Sequence, residues 1–175
     1  GEVTNQLREM SSANNNNKGT TIVEALVVIV ILSFGLIPIL LVILLASSLS
    51  STISNNLVAT NLAQEGVEVV RAIRDANWLN SRSFDSGLAP VSFDCTAGCR
   101  VQWNSTSLLA DSGNPVLRID NGLYNYSTGQ DTNFRRRIII TKIGTFELKV
   151  VSEVTWQQRN ATKKVEVEGH LFDWR

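Results

Sequence analysis

The chain has 175 residues, of which 16 are basic and 16 acidic, so its formal net charge is zero. This balance excludes the strongly basic character typical of nucleic-acid-binding proteins, and we predict no nucleic-acid partner. The chain has one histidine, and it lacks a glycine-rich phosphate loop, a nucleophile elbow and metal-ligand spacing. We therefore expect neither a cofactor nor catalysis.

Residues 1–19 form a polar leader without hydrophobic periodicity, which predicts disorder. The only methionine, Met10, leaves open a shorter leader that starts there. The apolar run that follows is too long for the core of a secretory signal and has no Ala-x-Ala cleavage pattern behind it. We therefore expect the hydrophobic segment to be retained.

No charged residue occurs between Glu24 and Glu65. Residues 25–46 within this interval are apolar, and a helix needs about 20 such residues to cross a hydrocarbon core of roughly 30 Å. Lys18 precedes the run and no basic residue follows it until Arg71. This asymmetry predicts a single-pass segment over residues 20–46 with a cytoplasmic N-terminus and an external body.

The helix is predicted to begin near Thr20 or Thr21 and to end near Asn77. Pro38 lacks a backbone donor and Gly35 adds backbone freedom, which predicts a kink or a local melt over residues 34–38.

Residues 47–77 are predicted to continue this helix in amphipathic form. Charged residues, among them Arg71 and Asp75 at pairing distance, share one side. Apolar or small residues recur at helical spacing on the other side: Leu62, Gly66, Val69, Val70 and Ile73.

The globular body, residues 78–175, shows the period of two that is typical of half-buried strands. Strands are predicted over residues 146–156 and 165–171, with a hairpin through the polar residues 157–162 and a third strand at 137–143. An antiparallel meander of at least three strands then packs against the amphipathic half of the helix. The predicted class is α+β, with a long N-terminal hydrophobic helix and a small antiparallel β-sheet domain.

Between the helix and this meander the pattern is weaker. Short strands are predicted at residues 90–94, 100–103 and 116–119. The basic cluster Arg135-Arg136-Arg137 is interpreted as the rim of a strand, with phosphate binding as the alternative.

Two cysteines, Cys95 and Cys99, flank a turn-prone sequence downstream of the membrane segment. They predict a local disulfide outside the cytoplasm that shapes a surface loop. A metal site is the alternative, but it needs further ligands and His170 is distant in sequence.

The sequence Lys18-Gly19-Thr20-Thr21-Ile22-Val23-Glu24 and the apolar run behind it resemble the N-terminus of type IV pilins and of the pseudopilins of type II secretion. The resemblance implies that a prepilin peptidase cuts between Gly19 and Thr20 and methylates the new N-terminus, Thr20. The family usually has Phe or Met at this position. The closing strands and the four tryptophans further resemble minor pilins: Trp78, Trp103, Trp156 and Trp174.

The resemblance also implies the partners and the location. The partners are other pilin or pseudopilin subunits in a homo- or hetero-filament, the peptidase, an inner-membrane assembly platform and the membrane. The chain would lie in the cell membrane before assembly and in an extracellular or periplasmic filament afterwards. In the family, helix breakers in the region of Gly35 and Pro38 permit local unwinding on assembly, whereas a proline in an ordinary membrane helix is often tolerated without special purpose. A carboxylate near hydrocarbon is costly unless it is paired, so we expect Glu24 to contact the N-terminal amine of a neighbouring subunit.

Two alternatives remain open. Thr21 and Glu24 also form a capping-box pattern, which would explain the carboxylate without a partner. The chain as a whole could instead be a non-polymerising, membrane-anchored extracytoplasmic binding domain.

Overall fold

The computed structural model describes residues 17–88 and 95–174, with only the backbone described for residues 17–20. One helix is followed by strands of a single antiparallel sheet, which confirms the α+β class. The elements are α1 (Asn17–Leu79), β1 (Cys99–Arg100), β2 (Leu109–Ala110), β3 (Val116–Asp120), β4 (Leu123–Asn125), β5 (Gln130–Ile143), β6 (Glu147–Gln158) and β7 (Ala161–Phe172).

The chain divides into two compact units after Ser51. The described part of the first unit is the N-terminal portion of α1. The second unit, from Thr52 onward, contains the remainder of α1 and the whole sheet.

Helix α1 is continuous through Pro38. The predicted local melt over residues 34–38 is therefore absent from this structure. Proline withholds a single N–H, so the hydrogen bonds of the flanking residues can continue the helix on both sides. Unwinding at Gly35 and Pro38 during assembly stays a prediction.

The sheet is built around β5, its longest strand. One edge of β5 pairs with β6 from Phe134 opposite Trp156 to Ile143 opposite Glu147, and its other edge pairs with β1 and β3. Strand β7 pairs with β6 through the predicted hairpin, and no other described strand lies along it. The predicted meander is confirmed as β5, β6 and β7.

Within the second unit, one face of α1 is buried in two apolar clusters that also contain sheet residues. The predicted helix face is confirmed, and Ala59, Ala63 and Val67 extend it. Full burial of one such Val or Leu side chain stabilises the fold by about 1.5–3 kcal/mol. The buried apolar helix residues are Ala59, Leu62, Ala63, Val67, Val69, Val70 and Ile73.

Gly66 marks a close approach of this helix face to the sheet. A Cβ atom at Gly66 would lie 2.4 Å from Ser152 Oγ and 2.8 Å from Ile138 Cδ1. A side chain at residue 66 would thus overlap strands β5 and β6.

The exposed side of the helix pairs differently from the prediction. Arg71 pairs with Glu68 rather than with Asp75, which pairs with Arg74. All of these are short-range contacts, and exposed pairs of this kind contribute at most about 1 kcal/mol each.

The residues before β6 differ most from the prediction. Strand β3 confirms the segment at residues 116–119, whereas β1 is shorter than the segment predicted at 100–103, and residues 90–94 lie outside the described part. Strand β5 begins at Gln130, ahead of the predicted residue 137. Phe146, predicted on the apolar face of a strand, precedes β6 and is 65% exposed.

Candidate functional site

The N-terminal part of α1 presents an apolar surface. Its large apolar side chains between Ile22 and Leu45 are exposed, from 48% at Val28 to 80% at Phe34. Soluble monomers rarely expose a contiguous apolar patch of more than a few hundred Å². A surface of this kind is typical of segments that lipid or another chain covers.

By length and composition, α1 suffices to cross a bilayer. A signal sequence near an N-terminus shares these properties, so the helix by itself identifies a membrane-compatible segment and no more.

Glu24 is the acidic residue at the start of this apolar surface. Its side chain is exposed, and none of the ion pairs among the described residues includes it. A carboxylate next to hydrocarbon is costly unless it is paired, and such residues are usually functional.

The capping-box alternative does not fit the uncut chain. Helix α1 begins at Asn17, and its first turn contains no acidic residue. Thr21 and Glu24 therefore lie in the second turn, where backbone N–H groups already have intrahelical acceptors. Local capping no longer accounts for Glu24 in this form of the chain.

The predicted cleavage position lies in the first helical turn. Gly19 and Thr20 are both helical in the described backbone. The first turn has no intrahelical partners for its N–H groups and frays readily, whereas cleavage at this position stays a prediction.

Arg136 corrects the interpretation of the basic cluster as a strand rim. Its side chain is fully buried, and its guanidinium donates to Leu62 O over 2.9 Å, to Val101 O over 2.6 Å and to Glu65 Oε1 over 3.0 Å. Tyr126 Oη donates to the Arg136 carbonyl over 3.1 Å. The residue connects helix, loop and sheet inside the core, which leaves it unsuited to bind phosphate from solvent.

A signal for Arg136 was present in the sequence. It shares the parity of Phe134, Ile138 and Ile140, which are all buried on the helix-facing side of β5. The alternation of the strand thus predicts an inward side chain for Arg136. The rim interpretation followed its positive charge instead.

The opposite face of the sheet carries charged side chains. Glu153 pairs with Arg137 over 2.8 Å, and Lys149 pairs with Glu168 over 2.6 Å. His170 contacts Glu147 over 2.5 Å and Glu168 over 3.0 Å. The carboxylate of Glu147, followed by that of Glu168, raises the pKa of His170 above its ordinary value of 6.5.

The predicted disulfide between Cys95 and Cys99 is confirmed, with a Cα–Cα distance of 5.1 Å. Both cysteines are buried in the apolar core, whereas Thr96 and Ala97 in the loop that they close are exposed. Ile140 N donates to Cys95 O over 3.3 Å, which attaches the bridged segment to β5. Neither sulfur is a free thiolate ligand.

No protein-family model, curated protein or solved structure matches this chain. Three features of the described residues bear on the function of the chain. The first two are the exposed apolar side chains in the N-terminal part of α1 and the carboxylate at their start. The third is the hydrogen bond by which Arg136 of the sheet contacts the C-terminal part of α1.

The four tryptophans have different environments and do not form one site. Trp156 is buried in the core, whereas Trp103 is 49% exposed. Trp78 and Trp174 meet edge to face with ring centroids 4.7 Å apart, and Arg74 lies 4.5 Å from the Trp78 ring centroid. This last group attaches residues near the C-terminus to the end of α1.

Proposed function

We propose that this chain is a structural subunit of a type IV pilus or of a type II secretion pseudopilus, either as a pilin or as a minor pilin or pseudopilin. The observation that carries the proposal is the exposed apolar surface of α1 with Glu24 at its start. The resemblance of residues 18–29 to pilin N-termini supports the same reading.

In this proposal the apolar surface has two successive environments. It lies in lipid while the chain is held in the cell membrane, and it packs against equivalent helices in the extracellular or periplasmic filament. Lipid is as apolar as the side chains themselves, so close packing rather than the hydrophobic effect must drive association. Such packing is weakly directional and needs a separate determinant of register.

Glu24 supplies that determinant. Cleavage after Gly19 would expose the amine of Thr20, and a charge-assisted hydrogen bond between this amine and Glu24 of a neighbouring subunit would satisfy both charges. A subunit in the wrong axial position would leave Glu24 unpaired. The prepilin peptidase and the inner-membrane assembly platform are therefore the expected partners, besides other subunits.

The test expresses the full chain together with a prepilin peptidase and an assembly platform. We expect sheared filaments to contain a subunit that begins at Thr20 and to be absent for Glu24→Ala, although that variant still reaches the membrane. Glu166→Ala is the matched control, because Glu166 is an exposed carboxylate of β7. This control should assemble normally.

An intact leader on all cell-associated protein, with an active peptidase present, would contradict the proposal. It would favour the membrane-anchored binding domain that never polymerises. If Glu24→Ala assembled normally, the proposal of a filament subunit would stand, but the proposed role of the Glu24 carboxylate would be wrong.

A further inference from the structure

The hairpin between β6 and β7 is attached to α1 close to the end of the apolar run. Gln158 Nε2 donates to Thr52 Oγ1 over 2.6 Å, and both residues belong to the second unit. Thr52 follows Ala46, the last residue of the apolar run, by only six positions.

This short interval limits how far the hairpin can lie from the membrane. Six residues span about 9 Å as a helix and at most about 20 Å when fully extended. The upper limit holds for any orientation of the second unit. The headgroup layer adds about 5–7 Å on each side of the hydrocarbon core, so connectivity alone keeps Thr52 no more than about 15 Å beyond the headgroups.

The hairpin is positively charged. Together with Thr52, Asn160 and neighbouring residues, the cations Arg159 and Lys163 line an open cleft of about 410 Å³. Lys163 faces Trp156 across the strand pair. Between Glu24 and Glu65 the helix contributes no acidic residue, and the carboxylate of Glu153, farther along β6, is engaged by Arg137 and Lys164.

We propose that this cleft binds the phosphate of an anionic phospholipid in the outer leaflet while α1 is inserted in the membrane. An arginine guanidinium matches phosphate geometry through paired N–H donors, and a lysine ammonium adds a point charge. The hydroxyl of Thr52 and the amide of Asn160 are further neutral groups at the cleft. The contact holds the second unit at the membrane surface before assembly.

The proposal goes beyond filament assembly and needs only membrane insertion of residues 25–46. Its test uses the full chain in vesicles without peptidase or assembly platform. A fluorophore is attached at Gln157→Cys, an exposed position of β6 outside the cleft lining, and quenching by nitroxide-headgroup lipid is measured in phosphatidylcholine vesicles with and without phosphatidylglycerol. The native cysteines are bonded to one another, so the introduced thiol is the one that reacts.

We expect quenching at residue 157 that depends on phosphatidylglycerol and weakens as salt is raised. Arg159→Gln combined with Lys163→Gln should lower the ratio of membrane-bound to free hairpin on the order of thirtyfold. Arg118→Gln combined with Lys149→Gln removes the same charge from exposed positions away from the hairpin and should change nothing. A fluorophore at Thr145→Cys, in the turn at the opposite end of β6, should remain unquenched.

Three results would overturn the proposal. The first is absence of quenching in either vesicle. The second is equal quenching with and without phosphatidylglycerol, since tethering alone would then explain proximity. The third is a fluorescence change that follows protein concentration in detergent, which would identify a second copy of the chain as the partner.

Two controls keep these results interpretable. The unfolding midpoint of the double variant must match that of the parent chain. Glu24→Ala should show the same lipid-dependent quenching as the parent chain. A failure of the assembly proposal would therefore not affect this test.

Discussion

Arg136 and Glu65 lie 71 positions apart in the chain, yet the guanidinium of Arg136 donates to the Glu65 carboxylate over 3.0 Å. The arginine side chain is fully buried, whereas the glutamate side chain remains 33% exposed. The pair therefore links strand β5 to helix α1 at the edge of the core, where the arginine side chain is buried and the glutamate side chain still contacts solvent.

Replacing Arg136 with Leu should destabilise the domain by about 3–5 kcal/mol, because it leaves the carbonyls of Leu62 and Val101 buried without this donor. Glu65→Gln should cost less, since both carbonyl contacts survive. Urea unfolding of the full chain in detergent measures the difference. Arg118→Leu removes an exposed pair and should cost no more than about 1 kcal/mol. Equal effects of Arg136→Leu and Arg118→Leu would contradict the proposed core role.

Gly66→Ala should destabilise the domain by about 1–3 kcal/mol through overpacking, although alanine is the better helix former. The added Cβ would approach Ser152 Oγ, which is itself buried without a hydrogen-bond partner among the described residues. Ser152→Gly in the same chain should recover part of the loss. Gly35→Ala is the control, because nothing lies within 4 Å of its added Cβ. A neutral Gly66→Ala would show that the helix can shift outward at no cost.

His170 should titrate above the ordinary histidine pKa of about 6.5, because the carboxylates of Glu147 and Glu168 favour its charged form. Its contribution to stability is then fully present below the unfolded pKa and is lost as the pH rises through the higher folded pKa. As the chain has one histidine, a single ring signal in an NMR titration reports this value. Glu147→Gln should lower it. The same shift on Glu166→Gln would argue for a general charge effect instead.

Reduction of the disulfide should lower the free energy of unfolding by about 2 kcal/mol, the chain-entropy value for so short a loop. The bridged segment contacts β5, so loosening should spread to the hydrogen bond from Ile140 to Cys95. Unfolding with and without reductant measures the loss. A chain with both Cys95→Ala and Cys99→Ala should be indifferent to reductant, and any sensitivity there would locate the effect elsewhere.

The helix and the long strands were predictable because each carries its own periodicity. Leu62, Val69, Val70 and Ile73 recur at helical spacing and form the buried face as predicted. Strands β6 and β7 are neighbours in sequence and close on a short hairpin, so local pattern was enough to pair them.

Other features depended on distant partners. Strand β1 is two residues long and shares only Arg100 with the segment predicted at 100–103, because its bounds depend on pairing to β5 and β2, which are distant in sequence. Likewise, alternation along β5 predicts an inward side chain for Arg136, but the carbonyls of Leu62 and Val101 that accept its hydrogen bonds come from distant parts of the chain. At the candidate site, Glu24 and the apolar run could be identified from the sequence itself. The hairpin cleft could be identified only from the structure, through the contact between Gln158 and Thr52.

Among the described strands, β7 pairs with β6 alone, so its other edge is open. An open edge of this kind invites backbone pairing with a foreign strand, the first step toward aggregation. Lysine and glutamate side chains at residues 163, 164, 166 and 168 stand along this edge, and charged side chains, lysine above all, are a common protection of edge strands against such pairing. Many such domains can therefore be concentrated side by side without their sheets merging.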